Sequence, residues 1–468
     1  MSTTRNAIWL TGCRLTGDVL NLLLFILISR RFGPAGAGAY SYGFAVATFA
    51  FVLGCLGIEE YGLRQYVRME ADARSGFIGE LLGTQMLMVA FAVIALVVYL
   101  TLSAPTASTL MMVIALGAYQ ITAAVVATLF IPAMAAQRML WPALAELTAR
   151  AVAFAFAGYA IGIAHVPLAQ AVLGYPVAAF VWLMVAITSL RRFAPALRFT
   201  FSTAGTLRIL RIVWSFALLE IFAQLFSRIG VITLSLYVGD AAAGIFATGL
   251  RLIEVALMPL SFLGVAAYPR LSQLYAGNLP DFRRSATDLM WLMLVGGGAA
   301  AWGLYFVAPS LLVPILGQRF SGAEPFIQAM GLFALVQAVE VCLGRILLSA
   351  DRQIANAAFV AGGAIVSVLL NLLWVPRFEV HGAIYAGTAA YAAIDILCIA
   401  ALKRPLSGAA LLRMFLPLSV AVALACGVCA WLAQHDYTAL PQAVAAAAVF
   451  VSIAALSYRR RHVAWSAG

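Results

Sequence analysis

The 468 residues are 64% hydrophobic and only 10% charged, with a mean hydropathy of +1.00 and a net charge of +11. A water-soluble chain carries about a quarter charged residues, so this composition excludes a soluble enzyme or a soluble binding domain. Apolar runs of roughly 20 residues with helical period, and no alternating pattern of about ten residues, exclude a β-barrel and predict an all-α integral membrane protein.

The first run, residues 7–29, contains Arg14 and Asp18 and lacks a small-residue cleavage site, so it reads as a membrane span and not as a cleaved signal peptide. Five more spans follow in the first half: 39–58, 81–103, 107–133, 142–164 and 167–190. The second half gives 209–237, 241–268, 286–316, 325–349, 356–376 and 381–402, and two further spans, 412–433 and 438–457, bring the total to about fourteen. Breakers fall between them. Gly33-Pro34 follows the first span, Pro105 separates the third from the fourth, Pro142 opens the fifth and Pro269 closes the eighth, before the loop Gly277-Asn278-Leu279-Pro280.

Of the 29 Lys and Arg residues, 20 fall in the termini, in the loops that follow even-numbered spans, or, as Arg211 and Arg413, in the first three residues of the span after such a loop. Only Arg30, Arg31, Arg319 and Arg377 fall in loops of the other side. The positive-inside rule then puts both termini in the cytoplasm. The basic pI follows from this asymmetry, and Arg459-Arg460-Arg461 reads as an anchor at lipid head groups, not a nucleic-acid patch. Segments 59–80 and 191–208 are the longest between spans; both are mildly amphipathic and read as interfacial segments on the cytoplasmic face.

The chain repeats itself. At an offset of 206, residues 238–250 lie on 32–44, with Gly33 on Gly239, Gly38 on Gly244 and Gly43 on Gly249. The polar face of the preceding span coincides too, Arg14, Asp18 and Asn21 falling on Glu220, Gln224 and Ser227. At an offset of 214, the turn 135–143 lies on 349–357. The repeat is therefore six spans in parallel orientation. It predicts two six-helix lobes related by a pseudo-two-fold axis: 1–190, a linker 191–208, then 209–402, with 403–468 carrying two extra helices and a basic tail.

Charged residues inside the spans are expensive in lipid and point at protein or at a water-filled cavity. Glu146 with Arg150, and more loosely Glu340 with Arg345, sit near a cytoplasmic end and read as neutralising pairs. Asp18 lies one turn from Arg14, and Glu254 nearly one turn from Arg251. Arg14, Arg228 and Arg251 lie near mid-depth on the repeated helices; with Asp18, Asn21, Glu220, Gln224 and Glu254 they are the candidate lining of a central substrate cavity. A guanidinium in such a cavity grips phosphate through its planar fork. Asp18, Glu220, Glu254 and Asp395 are candidate proton or ion carriers by burial. No metal site is expected: Cys426-x-x-Cys429 lies among Ala, Val and Leu and reads as packing, and His165, His381, His435 and His462 have no ligand spacing.

The stretch from Arg14 to Phe44, residues 238–272, and Asn371–Gly387 resemble bacterial oligosaccharide flippases. These form the polysaccharide-export (Wzx-type) branch of the multidrug/oligosaccharidyl-lipid/polysaccharide transporter superfamily. The resemblance extends over the first twelve spans and rests on diffuse patterns. In one of them Glu379 stands where the family usually has glycine after Pro-Arg-Phe. The resemblance implies alternating access in a bacterial inner membrane and no enzymatic activity or cofactor. The cargo it implies is a short glycan on undecaprenyl diphosphate, flipped from the cytoplasmic to the periplasmic leaflet. It implies as partners the lipid-linked oligosaccharide, membrane lipids, and a polysaccharide polymerase with chain-length machinery. A multidrug/cation antiporter has the same topology and stays open as an alternative. A polysaccharide polymerase or ligase is disfavoured, since no outside loop exceeds roughly ten residues where such enzymes carry a long one.

Overall fold

Long apolar stretches broken by few glycines and prolines leave the backbone no partner in lipid but itself, so nearly every segment closes into helix. The computed structural model describes residues 3–194 and 202–402. The helices are α1 (Thr3–Cys55), α2 (Ile58–Arg68), α3 (Ala71–Ser103), α4 (Ala107–Leu129), α5 (Ile131–Ala135), α6 (Leu140–Gly162), α7 (Leu168–Ala171) and α8 (Gly174–Phe193). They continue with α9 (Thr203–Tyr237), α10 (Asp240–Gly277), α11 (Leu279–Trp302), α12 (Ala308–Leu316), α13 (Glu324–Ser349) and α14 (Gln353–Leu402). A π-helical turn, Gly303–Val307, joins α11 to α12, and no strand occurs among the described residues.

Ten of these stretches are long and apolar enough to cross a membrane. Two of them each contain a pair of expected spans. The first and second spans meet inside α1 at Gly33, where φ is 70°, and the eleventh and twelfth meet inside α14 at Glu379, where φ is 49°. The first twelve expected spans are therefore all present. The thirteenth and fourteenth, with Cys426, Cys429 and the basic tail, lie outside the described residues, as does 195–201 of the linker.

Two boundaries differ from expectation. Pro269 does not end its helix: α10 runs through Pro259 and Pro269 to Gly277. The stop comes at Asn278, whose side chain accepts from the Asp281 N–H and caps α11. Segment 59–80, read as amphipathic and interfacial, leaves almost no loop before the third span, whose helix starts at Ala71. It is the amphipathic α2, whose Ile58, Gly62 and Tyr66 are buried, followed directly by the first turns of α3.

The chain forms two compact units, Met1–Gly244 and Ile245–Gly468. The first includes α9, which packs on α1 and α3, so this division falls beyond the linker 191–208. In this unit α1 also packs on α4 and α6, and α8 lies against α4 and α6. On α6 a stripe of Ala145, Ala149, Ala153, Ala157 and Ala160, all buried, lets backbones approach closely, which is how helices gain packing energy without a hydrophobic drive. Several polar core groups pair inside the unit. Gln120 donates to Thr48 (3.1 Å), Thr128 donates to the Gln85 carbonyl (2.8 Å), and Gln85 donates to the carbonyl of Gly54. In the second unit α13 packs on both α11 and α14.

The corners of the repeat share one backbone geometry. Gln137 and Asp351, 214 residues apart, have φ of 58° and 56°. The Arg138 N–H reaches back to Ala133 at 2.9 Å, and the Arg352 N–H to Leu347 at 3.0 Å. His165 and Glu379 share the same offset, with φ of 55° and 49°. Gly33 and Gly239 both have positive φ, 70° and 123°. Gly43 packs against Met112 and Leu116 of α4, and Gly249 against Met330 of α13, the same span of the other repeat.

Candidate functional site

Asp18 does not pair with Arg14. It accepts from Arg150 Nη1 across helices at 2.5 Å, while Arg150 Nη2 donates to Glu146 one turn earlier on α6. The reason is steric and local. Gly17 leaves room for the Arg150 stem, and a Cβ there would come within 2.7 Å of Arg150 Cδ. Tyr119 of α4 lies close enough to interact with both Arg150 and Glu146. Arg14 is exposed. Spacing along one helix shows only intrahelical partners, so this cross-helix pair was invisible in the sequence.

On α9 the polar face forms as expected. Gln224 donates to Glu220 at 2.8 Å and Ser227 to the Gln224 carbonyl at 3.1 Å. Ser227 uses the backbone oxygen of Gln224; the side-chain oxygen Oε1 of Gln224 is buried with no donor among the described residues. Arg228 lies over the ring of Phe44, 5.8 Å from its centroid. Phe44 is tilted against Tyr40, whose hydroxyl is 2.5 Å from that of Tyr175. None of these aromatic partners was singled out from the sequence; the signal available for Tyr40 and Phe44 was their place on the repeated second span, beside the glycines.

The glycines themselves meet. A Cβ on Gly38 would run into the backbone of Asp240 and Gly244, and a Cβ on Gly244 would run into Pro34 and Gly38. Both lie in the first unit. Nearby, Ser235 donates to Asp240 at 2.6 Å, the hydroxyls of Tyr42 and Tyr99 are 2.7 Å apart, and Ile232 packs on Tyr42, Val46, Leu100 and Val113.

In the second unit Arg251 and Glu254 form the expected pair at 3.5 Å. Arg345 lays its stem on Gly264 of α10. Asp395 on α14 is buried, 7% exposed, and its Oδ1 has no donor among the described residues. Glu340 of α13 is near enough to act on it electrostatically, and Tyr391 is near both. Among the described residues no group of three His, Cys, Asp or Glu side chains is placed to hold a metal ion.

Residues 3–275 match a family described as polysaccharide biosynthesis protein. The chain belongs to this family. The expected resemblance is thereby confirmed over more than half the sequence. No protein of curated function matches the chain. Among solved structures the fold is similar to that of the lipid II flippase MurJ in an inward closed conformation. The TM-score is 0.75 at 12% identity, covering 97% of this chain and 99% of MurJ. It is also similar to an inward-facing multidrug resistance MATE family transporter of the MOP superfamily, with TM-score 0.60, 11% identity, and 83% and 95% of the two chains covered. The MATE transporter VcmN of Vibrio cholerae, in its bent form, gives 0.51 at 13% identity over 86% and 98%. The fold is shared with MurJ and the MATE transporters, and the chain is a multi-pass membrane protein.

Proposed function

We propose that the chain is a flippase that carries an oligosaccharide linked to undecaprenyl diphosphate from the cytoplasmic to the periplasmic leaflet, by alternating access, for surface polysaccharide synthesis. The family match over residues 3–275 carries this reading, and the similarity of the fold to MurJ supports it. In this reading the chain sits in a bacterial inner membrane with both termini cytoplasmic, as the basic-residue asymmetry argues. Arg14, Arg228 and Arg251 hold the diphosphate. Asn21, Glu220, Gln224 and Glu254 supply polar contacts to the sugars. The carboxylates of Glu220, Glu254 and Asp395 carry any coupled proton or cation. Transport, not catalysis, is the activity, and a polymerase with its chain-length machinery takes up the delivered glycan.

The test is genetic and biochemical. Deleting the gene should abolish one surface polysaccharide and leave its lipid-linked unit on the cytoplasmic leaflet, and re-expression should restore export. A deletion strain with unchanged surface glycans would overturn the reading. One observation favours a second reading, a cation-coupled multidrug antiporter: the buried Asp395 beside Glu340 is an acidic setting suited to a cation. Drug hypersensitivity of the deletion strain, with intact polysaccharide, would select it.

A further inference from the structure

The Asp18–Arg150–Glu146 cluster ties one residue of the polar face of α1 to α6. Arg150 presents its two terminal nitrogens to two carboxylates from different helices. Its side chain is 17% exposed, while those of Asp18 and Glu146 are 46% and 35% exposed. The stem is seated on Gly17. The other half of the chain has nothing like it. At the repeat offsets Asp18 becomes Gln224, Glu146 becomes Val360 and Arg150 becomes Ala364.

We infer that Arg150 is a resident cation, a guanidinium built into the chain where a mobile monovalent cation would otherwise sit between the carboxylates of α1 and α6. This goes beyond the flippase reading and makes Arg150 and Asp18 positioning residues that lock α1 to α6. A guanidinium keeps its charge at any biological pH and cannot diffuse away, so the cation of the lock is neither deprotonated nor exchanged for sodium. Removing it leaves two carboxylates one guanidinium apart, an arrangement that draws in a proton or a small cation. Any ion-coupled step in this chain is then carried by carboxylates other than Asp18.

The experiment is thermal unfolding of the purified full-length protein in detergent, titrated with millimolar guanidinium or sodium, with choline as the ionic-strength control. It needs no cargo, so its outcome is independent of whether the flippase reading holds. Arg150→Ala should melt lower than wild type by on the order of 5 °C. It should regain part of that loss with guanidinium or sodium and none with choline, while wild type shows no cation-specific shift. Arg150→Lys keeps the cation and should show no such shift. If Arg150→Ala does not accumulate, the neutral triple variant Asp18→Asn/Glu146→Gln/Arg150→Ala should still fold, because no unmatched charge remains. Equal responses of Arg150→Ala and wild type to all salts would overturn the inference, as would unchanged melting of Arg150→Ala. Failure of the triple variant as well would show that Arg150 serves shape and not charge.

Discussion

Arg228 shows what a single side chain is asked to do in this protein. An arginine within a membrane span costs at least ~2.5 kcal/mol on insertion scales, so its position calls for a partner. The structure gives it the face of Phe44, at 5.8 Å, a contact that favours the charged guanidinium. Arg228→Ala is therefore expected to insert normally and lose glycan export, measured as surface polysaccharide in a deletion strain at matched protein levels. Arg228→Lys should recover only part, since lysine keeps the charge and loses the two-pronged grip. Full export by Arg228→Ala would make this arginine scaffolding. Glu379 is the opposite case, a side chain with a cost and no partner among the described residues. Its φ of 49° and ψ of −125° belong to glycine, the residue the family resemblance places there. Glu379→Gly should stabilise the protein by about 1 kcal/mol, seen as a rise in melting temperature. An unchanged or lower melting temperature would mean that the glutamate is held by contacts worth more than the strain.

At the scale of elements, the crossing of Gly38 and Gly244 sets how closely the second half of α1 approaches the start of α10. Each missing Cβ is replaced by the other segment's backbone, which cannot move aside as a side chain would. Gly38→Ala should already cost roughly 1–3 kcal/mol, and Gly38→Leu or Gly244→Leu should prevent accumulation of folded protein. Gly76 on α3 is the control. A Cβ there meets nothing, so Gly76→Ala should be neutral or gain about 0.5–1 kcal/mol. Similar losses at Gly38 and Gly76 in a thermal-shift assay would remove the packing argument. The glycine correspondence was readable in the sequence because the repeat offset aligned it. The meeting of the two glycines was not, since an offset reports equivalence and says nothing about contact. The same limit explains Asp18: helical spacing offered Arg14, and folding supplied Arg150 from 132 residues away. Pro269 failed as a stop signal for a different reason. A proline removes one hydrogen bond, and a long helix can bridge that loss and run on to a better cap at Asn278.

For the whole molecule, hydropathy and the distribution of arginines carry the topology. The first twelve spans were legible because the lipid core demands about 20 apolar residues per crossing, a signal that tertiary packing does not rewrite. The bends at Gly33 and Glu379 show why span counts and helix counts differ: a corner of one residue can turn the chain without breaking the helix on either side. The cytoplasmic placement of the termini is testable with single cysteines in a background lacking the native six. Ser202→Cys should react with an impermeant maleimide only from the cytoplasmic side, and Pro105→Cys only from outside. Labelling of both from one side would redraw the map.

The glycine crossing also carries the symmetry of the repeat. Gly38 meets Asp240 and Gly244, while Gly244 meets Pro34 and Gly38; Pro34 and Asp240 are themselves equivalent under the repeat. Position for position the contact is reciprocal, which is the pattern a surface makes when it meets its own copy across a dyad. Pro34 and Asp240 are equivalent yet differ, while Gly38 and Gly244 are the same residue; a substitution at either glycine meets an unchanged backbone opposite.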